Sequence, residues 1–174
     1  GKGTFISQRT SVQDSLNSLQ SLTETITSMG MKPGSKLLFN GKAHEPTEVA
    51  DILQEHEFYL IARVRTANST PIAVERHYYS IEIGHKLAAY DLGNSTIYDL
   101  LENELGVDLY EAEQIISCNA ISEYDAEKLN IPKGTNVLEV ERTIRNLYGE
   151  IVEYYTSIFK PDMYSFRIHT KRKK

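Results

Sequence analysis

Two arginines separated by one residue, Arg63 and Arg65, are the side chains of this sequence best suited to bind an anion. They lie in a β-prone run, Phe58–Thr66, and side chains two apart on a strand share one face, about 6.6 Å apart. A guanidinium donates paired hydrogen bonds and keeps its charge, so this spacing can clamp a phosphate or a carboxylate. The same spacing also fits two solvated arginines, with Glu75 of the next strand as their cross-strand partner.

Hydroxyl side chains begin two of the expected helices. Thr96 follows Gly93–Ser95 at one helix start, and Ser21, Thr23 and Glu24 open an earlier helix. The free N–H groups of a helix start, together with a hydroxyl, suit an anion. An ordinary N-cap has the same sequence pattern, so both interpretations stay open.

A carboxylate and an aromatic ring share one face of a later strand. Glu153 and Tyr155 lie two residues apart within the run Ile151–Phe159. A carboxylate beside an aromatic ring can accept hydrogen bonds from sugar hydroxyls or from an amine. It can equally be an exposed strand residue.

No catalytic or metal-binding constellation is evident. The five histidines lack HExxH or comparable spacing, and GxSxG, P-loop and GxGxxG motifs are absent. The single cysteine, Cys118, cannot form an internal disulfide and is typical of a small core residue. The sequence therefore predicts no catalytic residue, no metal and no cofactor.

Hydrophobic periodicity and turn residues supply the elements that would position these side chains. The predicted helices are Leu19–Gly30, one starting at Pro46, one from Asn94–Thr96 to Leu105, and Ser122–Leu129. The predicted strands are Lys36–Asn40, Phe58–Thr66, Ile72–Ser80, Leu109–Asn119, Asn136–Leu147, Ile151–Phe159 and Phe166–Thr170. Hairpin-joined strands with helices between the pairs predict an α+β fold, a mostly antiparallel sheet flanked by helices.

Length and charge limit the classes of protein that this chain can be. Its 174 residues suit one compact domain with a short appendage, and its net charge of -5 argues against a chain that grips nucleic acid by itself. No apolar run approaches the roughly 18 residues that span a bilayer, so we expect a cytoplasmic protein without a membrane partner. The basic tail, Lys171–Lys174, is interpreted as a solvated end.

The first residues look like the end of another structure. Gly1–Ile6 reads as a turn followed by the second strand of a hairpin whose first strand is missing. Residues 7–18 turn polar without strong periodicity, which predicts a linker with at most a turn or two of helix.

Several segments, taken in order, resemble one family. Gly1–Ile6 is similar to the end of the winged helix-turn-helix domain of GntR-type transcription regulators. Ser21–Glu24 and Met29–Pro33 resemble the entry helix and turn of the UTRA effector-binding domain of the HutC subfamily. Further matching segments are Leu60–Arg65, Thr70–Glu75, Tyr78-Tyr79, Ser95–Leu101, Val152–Tyr154 and Phe159–Phe166.

The resemblance implies a chorismate-lyase-like fold with a small-molecule pocket and no catalysis. It divides the chain into the end of a missing DNA-binding domain (1–6), a linker (7–18) and a UTRA domain (19–174). The effector contacts that it implies fall on Thr23, Arg63, Arg65, Thr96, Tyr98, Glu153 and Phe159. At Phe159 many relatives have tyrosine, so this chain lacks one hydroxyl there.

We therefore expect an effector-binding and dimerisation domain of a GntR-family regulator, a repressor, that senses a small anionic metabolite such as a sugar phosphate. The expected partners are the metabolite, a second copy of the chain and operator DNA, the last through the missing domain. Two alternatives stay open: an enzyme of the chorismate-lyase type, and a dimerisation module with a vestigial pocket.

Overall fold

The structure, a computed structural model, describes residues 12–15 and 18–172. Its strands are β1 (Val12–Ser15), β2 (Pro33–Ala43), β3 (Phe58–Ala67), β4 (Thr70–Tyr79), β5 (Glu111–Ala120), β6 (Asn136–Arg145), β7 (Ile151–Phe159) and β8 (Tyr164–Arg167). Its helices are α1 (Leu22–Ser28), α2 (Thr47–Leu53), α3 (Ile81–Leu87), α4 (Ile97–Asp99) and α5 (Glu123–Leu129). The predicted hairpin end at residues 1–6 lies outside the described residues.

One six-stranded sheet organises the fold. Its strand order is β2-β3-β4-β7-β6-β5, and every neighbouring pair is antiparallel. The hairpin between β3 and β4 turns through Asn68 and Ser69, both with positive φ, as a tight two-residue turn requires. The predicted α+β class with an antiparallel sheet is confirmed.

Helices cover both faces of the sheet. Side chains along β4 point alternately to one face and to the other, so the strand shows what packs on each. Val74 belongs to a buried cluster with α5, and Tyr78 belongs to another with α2. On the opposite face, Glu75 and His77 lie under the starts of α1 and α4, with which they line one hollow. Glu75 and His77 are therefore as deeply buried as the apolar residues of β4.

The edge strand β2 is longer than expected. The sequence predicted a turn at Pro33-Gly34 and a strand only over Lys36–Asn40, whereas Pro33 is the first residue of an eleven-residue strand. Pro33 is tolerated there because the first residue of an edge strand does not need its N–H for the ladder. Pairing with β3 extends from Pro33 to Ala43 and overrides the local turn signal.

Helix α3 was not predicted at all. It begins after Ser80, whose hydroxyl accepts a hydrogen bond from the Ile83 N–H at 3.4 Å. Gly84 interrupts its apolar pattern, yet the helix packs so closely on β3 that a Cβ at this position would lie 2.0 Å from Cγ of Tyr59. Glycine is present for close packing, which local helix propensity does not reveal.

Helix α4 is shorter than the predicted helix to Leu105. After one α-helical turn the chain continues as a π-helical turn over Leu100–Glu104, and Gly106 follows with a φ of 64°. Thr96 precedes the helix but its side chain forms no capping hydrogen bond. Its hydroxyl is therefore not used to cap its own helix.

The predicted linker contains a strand. Val12–Ser15 pairs in parallel with β8, so that Val12 lies opposite Tyr164. Val12 has no exposed surface and packs in the core with Ile26 and Phe159. This strand escaped prediction because its partner lies about 150 residues away, and a four-residue parallel strand has no local turn signal.

Candidate functional site

A buried ion-pair cluster lies at the centre of the sheet. Arg63 and Arg65 are 2% and 4% exposed, and both contact the same oxygen of Glu75, which is 1% exposed. Arg63 donates to Glu75 Oε1 from Nε at 2.8 Å and from Nη2 at 2.6 Å, and Arg65 Nη1 donates at 3.0 Å. Glu75 is thus the cross-strand partner considered from the sequence, but the group is buried instead of solvated.

Arg63 also ties the sheet to the segment in front of α4. Its Nη1 donates to the backbone carbonyls of Leu92 at 3.1 Å and Ser95 at 2.9 Å. Four of its five N–H donors are therefore engaged by the protein itself. Its main observed role is to hold the loop that carries Thr96 against the sheet.

Arg65 has different surroundings, although it shares the face of Arg63. Its Nη2 donates to Thr23 Oγ1 at 2.7 Å, and its Nε donates to the Gly34 carbonyl at 3.3 Å. With the bond to Glu75, contacts within the described residues account for three of its five N–H groups. One N–H on each terminal nitrogen is left for a ligand.

A small hollow lies between this cluster and the two helix starts. It offers about 10 Å³, the space of about one water molecule. A more open cleft of about 100 Å³ adjoins it and is lined by Ser35, Gly93 and Asn94 among others. The hollow and the cleft share Thr23, Arg65 and Thr96.

The electrostatics of the cluster favour ionised side chains. Burial alone would raise the pKa of Glu75, but the guanidiniums of Arg65 and Arg63 outweigh it and hold that pKa well below its ordinary value. Within the described part of the chain, the hollow is lined by Arg63, Arg65 and Arg142 but by a single carboxylate, Glu75. This excess of positive charge can be neutralised by an anionic ligand.

Glu153 lies deeper than the hollow and has no exposed surface. It binds the ring nitrogen Nδ1 of His77 at 2.9 Å and accepts a hydrogen bond from the hydroxyl of Tyr79. The hydroxyl of Tyr98 donates to its other oxygen at 3.3 Å. All these contacts come from the protein, and Glu153 does not line the hollow.

Arg142 of β6 connects the site to the chain that precedes α1. Its Nη1 donates to the Gln20 carbonyl at 3.2 Å and to the hydroxyl of Tyr98 at 3.0 Å, and its Nε donates to Gln114 at 2.7 Å. Its guanidinium carbon also lies 5.3 Å from the ring centre of Tyr155. One side chain thus contacts both helix starts that cover the hollow.

Phe159 belongs to an aromatic cluster. It is 3% exposed, and its ring stacks on Tyr164 with centroids 3.8 Å apart. Phe166 meets the same ring edge-on at 5.8 Å. These rings cover Phe159, so it supports the core around β8 without lining the hollow.

Five of the seven residues predicted as effector contacts line the hollow, namely Thr23, Arg63, Arg65, Thr96 and Tyr98. The structure does not bring Glu153 and Phe159 to it, because protein side chains cover both. Sequence reasoning did not single out His77 and Arg142, which also line the hollow, and it considered Tyr155 only as the neighbour of Glu153. The alternation along β4 carries a signal for His77, since it shares a face with Glu75.

The described residues show no cluster of three or more histidine, cysteine, aspartate or glutamate side chains that could hold a metal ion. Among the helices within residues 18–172, none is long and apolar enough to cross a membrane.

Comparison with known proteins relates the chain to transcription regulators. Residues 28–165 match the UTRA domain family. The chain is 32% identical over 169 residues to the HTH-type transcriptional repressor NagR of Bacillus subtilis, covering 95% of this chain and 69% of that protein. It is 25% identical to the HTH-type transcriptional regulator Rv0792c of Mycobacterium tuberculosis, covering 99% of this chain and 65% of that protein.

Solved structures share the fold. PhnF from Mycobacterium smegmatis superposes with a TM-score of 0.83 at 16% identity, over 94% of this chain and 73% of that one. Its effector domain alone gives a TM-score of 0.83 at 15% identity, over 92% of this chain and 100% of that one. The curated relatives are transcription regulators, not enzymes.

Proposed function

The chain belongs to the UTRA family, the effector-binding domains of HutC-subfamily GntR-type transcription regulators, and we propose that its effector is a small anionic metabolite, a sugar phosphate. The position of Arg65 carries this proposal. Its guanidinium is buried, lines both the hollow and the cleft, and keeps two N–H donors unused by the described residues.

Two hydroxyls complete the anion site. Thr23 Oγ1 already accepts a hydrogen bond from Arg65, and its own hydroxyl hydrogen can be donated to a phosphate oxygen. Thr96 lines the same space and its hydroxyl makes no capping bond. A charged hydrogen bond contributes about 1.5–3 kcal/mol, and micromolar binding needs about 8 kcal/mol, so a few such contacts suffice.

The ligand itself must open the site. A hollow of about 10 Å³ holds about one water molecule, whereas a hexose phosphate is many times larger. Occupation therefore requires that the start of α1 and the segment before α4 move away from the sheet. The bonds from Arg65 to Thr23 and from Arg142 to Gln20 connect the sheet to the first of these segments.

This movement offers a route to the rest of the regulator. Ile26 of α1 packs with Val12 of β1, so we expect displacement of α1 to change the position of β1. Allosteric coupling of this kind typically amounts to about 1–3 kcal/mol. The proposal places operator contacts in a DNA-binding domain outside residues 1–174, in line with the net charge of -5 and with the HTH-type relatives.

The proposed assembly is a homodimer, the form in which two DNA-binding domains would meet a two-fold symmetric operator. Sedimentation of the purified chain tests whether it forms this dimer. A species of twice the 19.8 kDa chain mass supports it, and a monomer at all concentrations contradicts it.

The ligand class is tested by titration calorimetry with glucose 6-phosphate, fructose 6-phosphate, glucosamine 6-phosphate, inorganic phosphate and unphosphorylated glucose. We expect a sugar phosphate to bind and glucose not to bind. Arg65→Gln should abolish binding, while the matched variant Arg145→Gln, at the far end of β6, should not change it. Failure of all the phosphates to bind would instead favour a dimerisation module with a vestigial pocket.

A further inference from the structure

His77 is a buried group that the proposed anion site does not use. It is 4% exposed and lines the hollow between the ion-pair cluster and Tyr155. Of the buried side-chain nitrogen and oxygen atoms that the structure describes, Nε2 of His77 is the one without a hydrogen-bond partner. A buried polar atom left unpaired costs about 1–3 kcal/mol, so a group of this kind calls for an explanation.

The surroundings of His77 define its charge. Its Nδ1 lies 2.9 Å from Glu153, and because a carboxylate only accepts hydrogen bonds, Nδ1 carries a hydrogen. Its Nε2 lies 3.2 Å from Glu75 Oε1, a charged contact without hydrogen-bond alignment. A carboxylate near each ring nitrogen favours the imidazolium, and its Nε2–H has no aligned hydrogen-bond acceptor among the described residues.

Other ionisable groups near the ring leave this assignment unchanged. The ring centroid of Tyr155 lies 4.9 Å away, and the ring of Tyr79 is stacked at 6.2 Å. Burial raises the pKa of both phenols, which keeps them neutral. Arg142 and Tyr98 also line the hollow.

We propose that His77 is a specificity-determining ligand contact, whose Nε2–H donates to an oxygen acceptor on the sugar portion of the effector. The inference rests on the proposed function and extends it beyond the phosphate. The resemblance placed a ligand-binding carboxylate at Glu153, but here Glu153 lies behind the ring and positions it. The site of this chain thus offers a hydrogen-bond donor where an acceptor was expected.

The test compares two ligands that differ in reach. Inorganic phosphate needs only the Arg65 end of the site, whereas the tightest-binding of the three sugar phosphates also extends to His77. In His77→Leu we expect the ratio of sugar-phosphate to phosphate affinity to fall about 10- to 100-fold. Loss of the positive charge lowers the affinity for both ligands, so this effect cancels in the ratio of the two affinities.

Two further variants distinguish a direct contact between His77 and the ligand from an indirect structural role of this residue. His77→Gln keeps a neutral N–H donor at similar reach and should restore part of the ratio. Tyr78→Phe changes a buried neighbour on the opposite face of β4 and should leave the ratio unchanged. An unchanged ratio in His77→Leu overturns the inference while the proposed function stands, and a wild-type protein that binds none of these ligands overturns both.

Nuclear magnetic resonance of protein labelled with ¹⁵N in histidine gives an independent readout. We expect both nitrogens of His77 to be protonated in the free protein at pH 6.5, and the Nε2 signal to shift on addition of the sugar phosphate. A free protein with an unprotonated Nε2, or a signal that does not respond to bound ligand, contradicts the proposal.

Discussion

Arg142 and Gln20 are joined by a hydrogen bond of 3.2 Å, from the guanidinium of a strand residue to a backbone carbonyl that precedes the first helix. The two residues are 122 positions apart in the chain. The carbonyl lies just before α1, so this bond connects the sheet at the candidate site to the start of the helix whose Ile26 packs with Val12 of β1.

Replacing Arg142 with lysine keeps the charge but removes the planar fork of donors that reaches Gln20 and Tyr98 together. We expect amide hydrogen exchange in α1 to speed up about tenfold, because a charged hydrogen bond that holds its start is lost. Exchange is measured by mass spectrometry. Arg145→Lys is the control, and unchanged protection of α1 in Arg142→Lys would show that the bond does not restrain the helix.

Replacing Glu75 with glutamine leaves two buried arginines without a counter-charge. We expect the free energy of unfolding at pH 7 to fall by about 3–5 kcal/mol, as measured by urea denaturation. The exposed Glu113→Gln on β5 should change it by less than about 0.5 kcal/mol.

The same variant has a defined pH dependence. Because the pKa of Glu75 is lower in the folded protein, its stabilisation is present above the unfolded value of about 4.3 and is lost as the pH falls through the lower folded value. The deficit of Glu75→Gln should therefore persist down to about pH 4.3. If Glu75→Gln and wild type had the same free energy of unfolding at neutral pH, Glu75 would not be an ionised partner of the two arginines.

For a charged His77 we expect the opposite pH dependence, a stabilisation that is lost as the pH rises. Burial lowers the pKa of His77, but Glu153 and Glu75 outweigh burial and raise it above its ordinary value. Its stabilisation is then complete below the unfolded value of about 6.5 and is lost as the pH rises through the folded value. Denaturation of wild type and His77→Gln from pH 6 to pH 9 should give curves that converge with rising pH, and curves that diverge would refute a charged ring.

Replacing Gly84 with alanine tests the close packing of α3 on β3. The added Cβ would lie 2.0 Å from Cγ and 2.1 Å from Cβ of Tyr59, near the rigid root of that side chain. We expect a loss of at least about 1–3 kcal/mol in the free energy of unfolding. The control is Gly41→Ala, in which the added Cβ would lie 3.4 Å from its nearest neighbour, the Phe39 ring, so we expect only a small loss of stability.

Local patterns predicted the position of the arginine pair but not its environment. A period of two placed Arg63 and Arg65 on one face and Glu75 opposite, and the strand register agrees. Whether that face meets water or helices depends on where α1 and the segment before α4 pack, which no local pattern encodes. For this reason both interpretations of the pair stayed open in the sequence.

The remaining differences have the same origin. Nothing in its own strand distinguishes His77 from other strand histidines, because its partner Glu153 lies on β7. Gly84 lowers the local helix propensity, and the Tyr59 side chain that requires glycine there lies on β3. The β1 strand depends on pairing with a segment about 150 residues away. These features arise from tertiary contacts, and the sequence signals only the elements that take part in them.

The parallel pairing of Val12 with Tyr164 means that β8 holds β1 in place. A stop codon or a protease cut just ahead of Tyr164 would leave every side chain of the hollow in the polypeptide, yet the leading strand would have nothing to pair with. We therefore expect such a truncated chain to keep the residues of the hollow while the position of β1 is no longer fixed by pairing with β8.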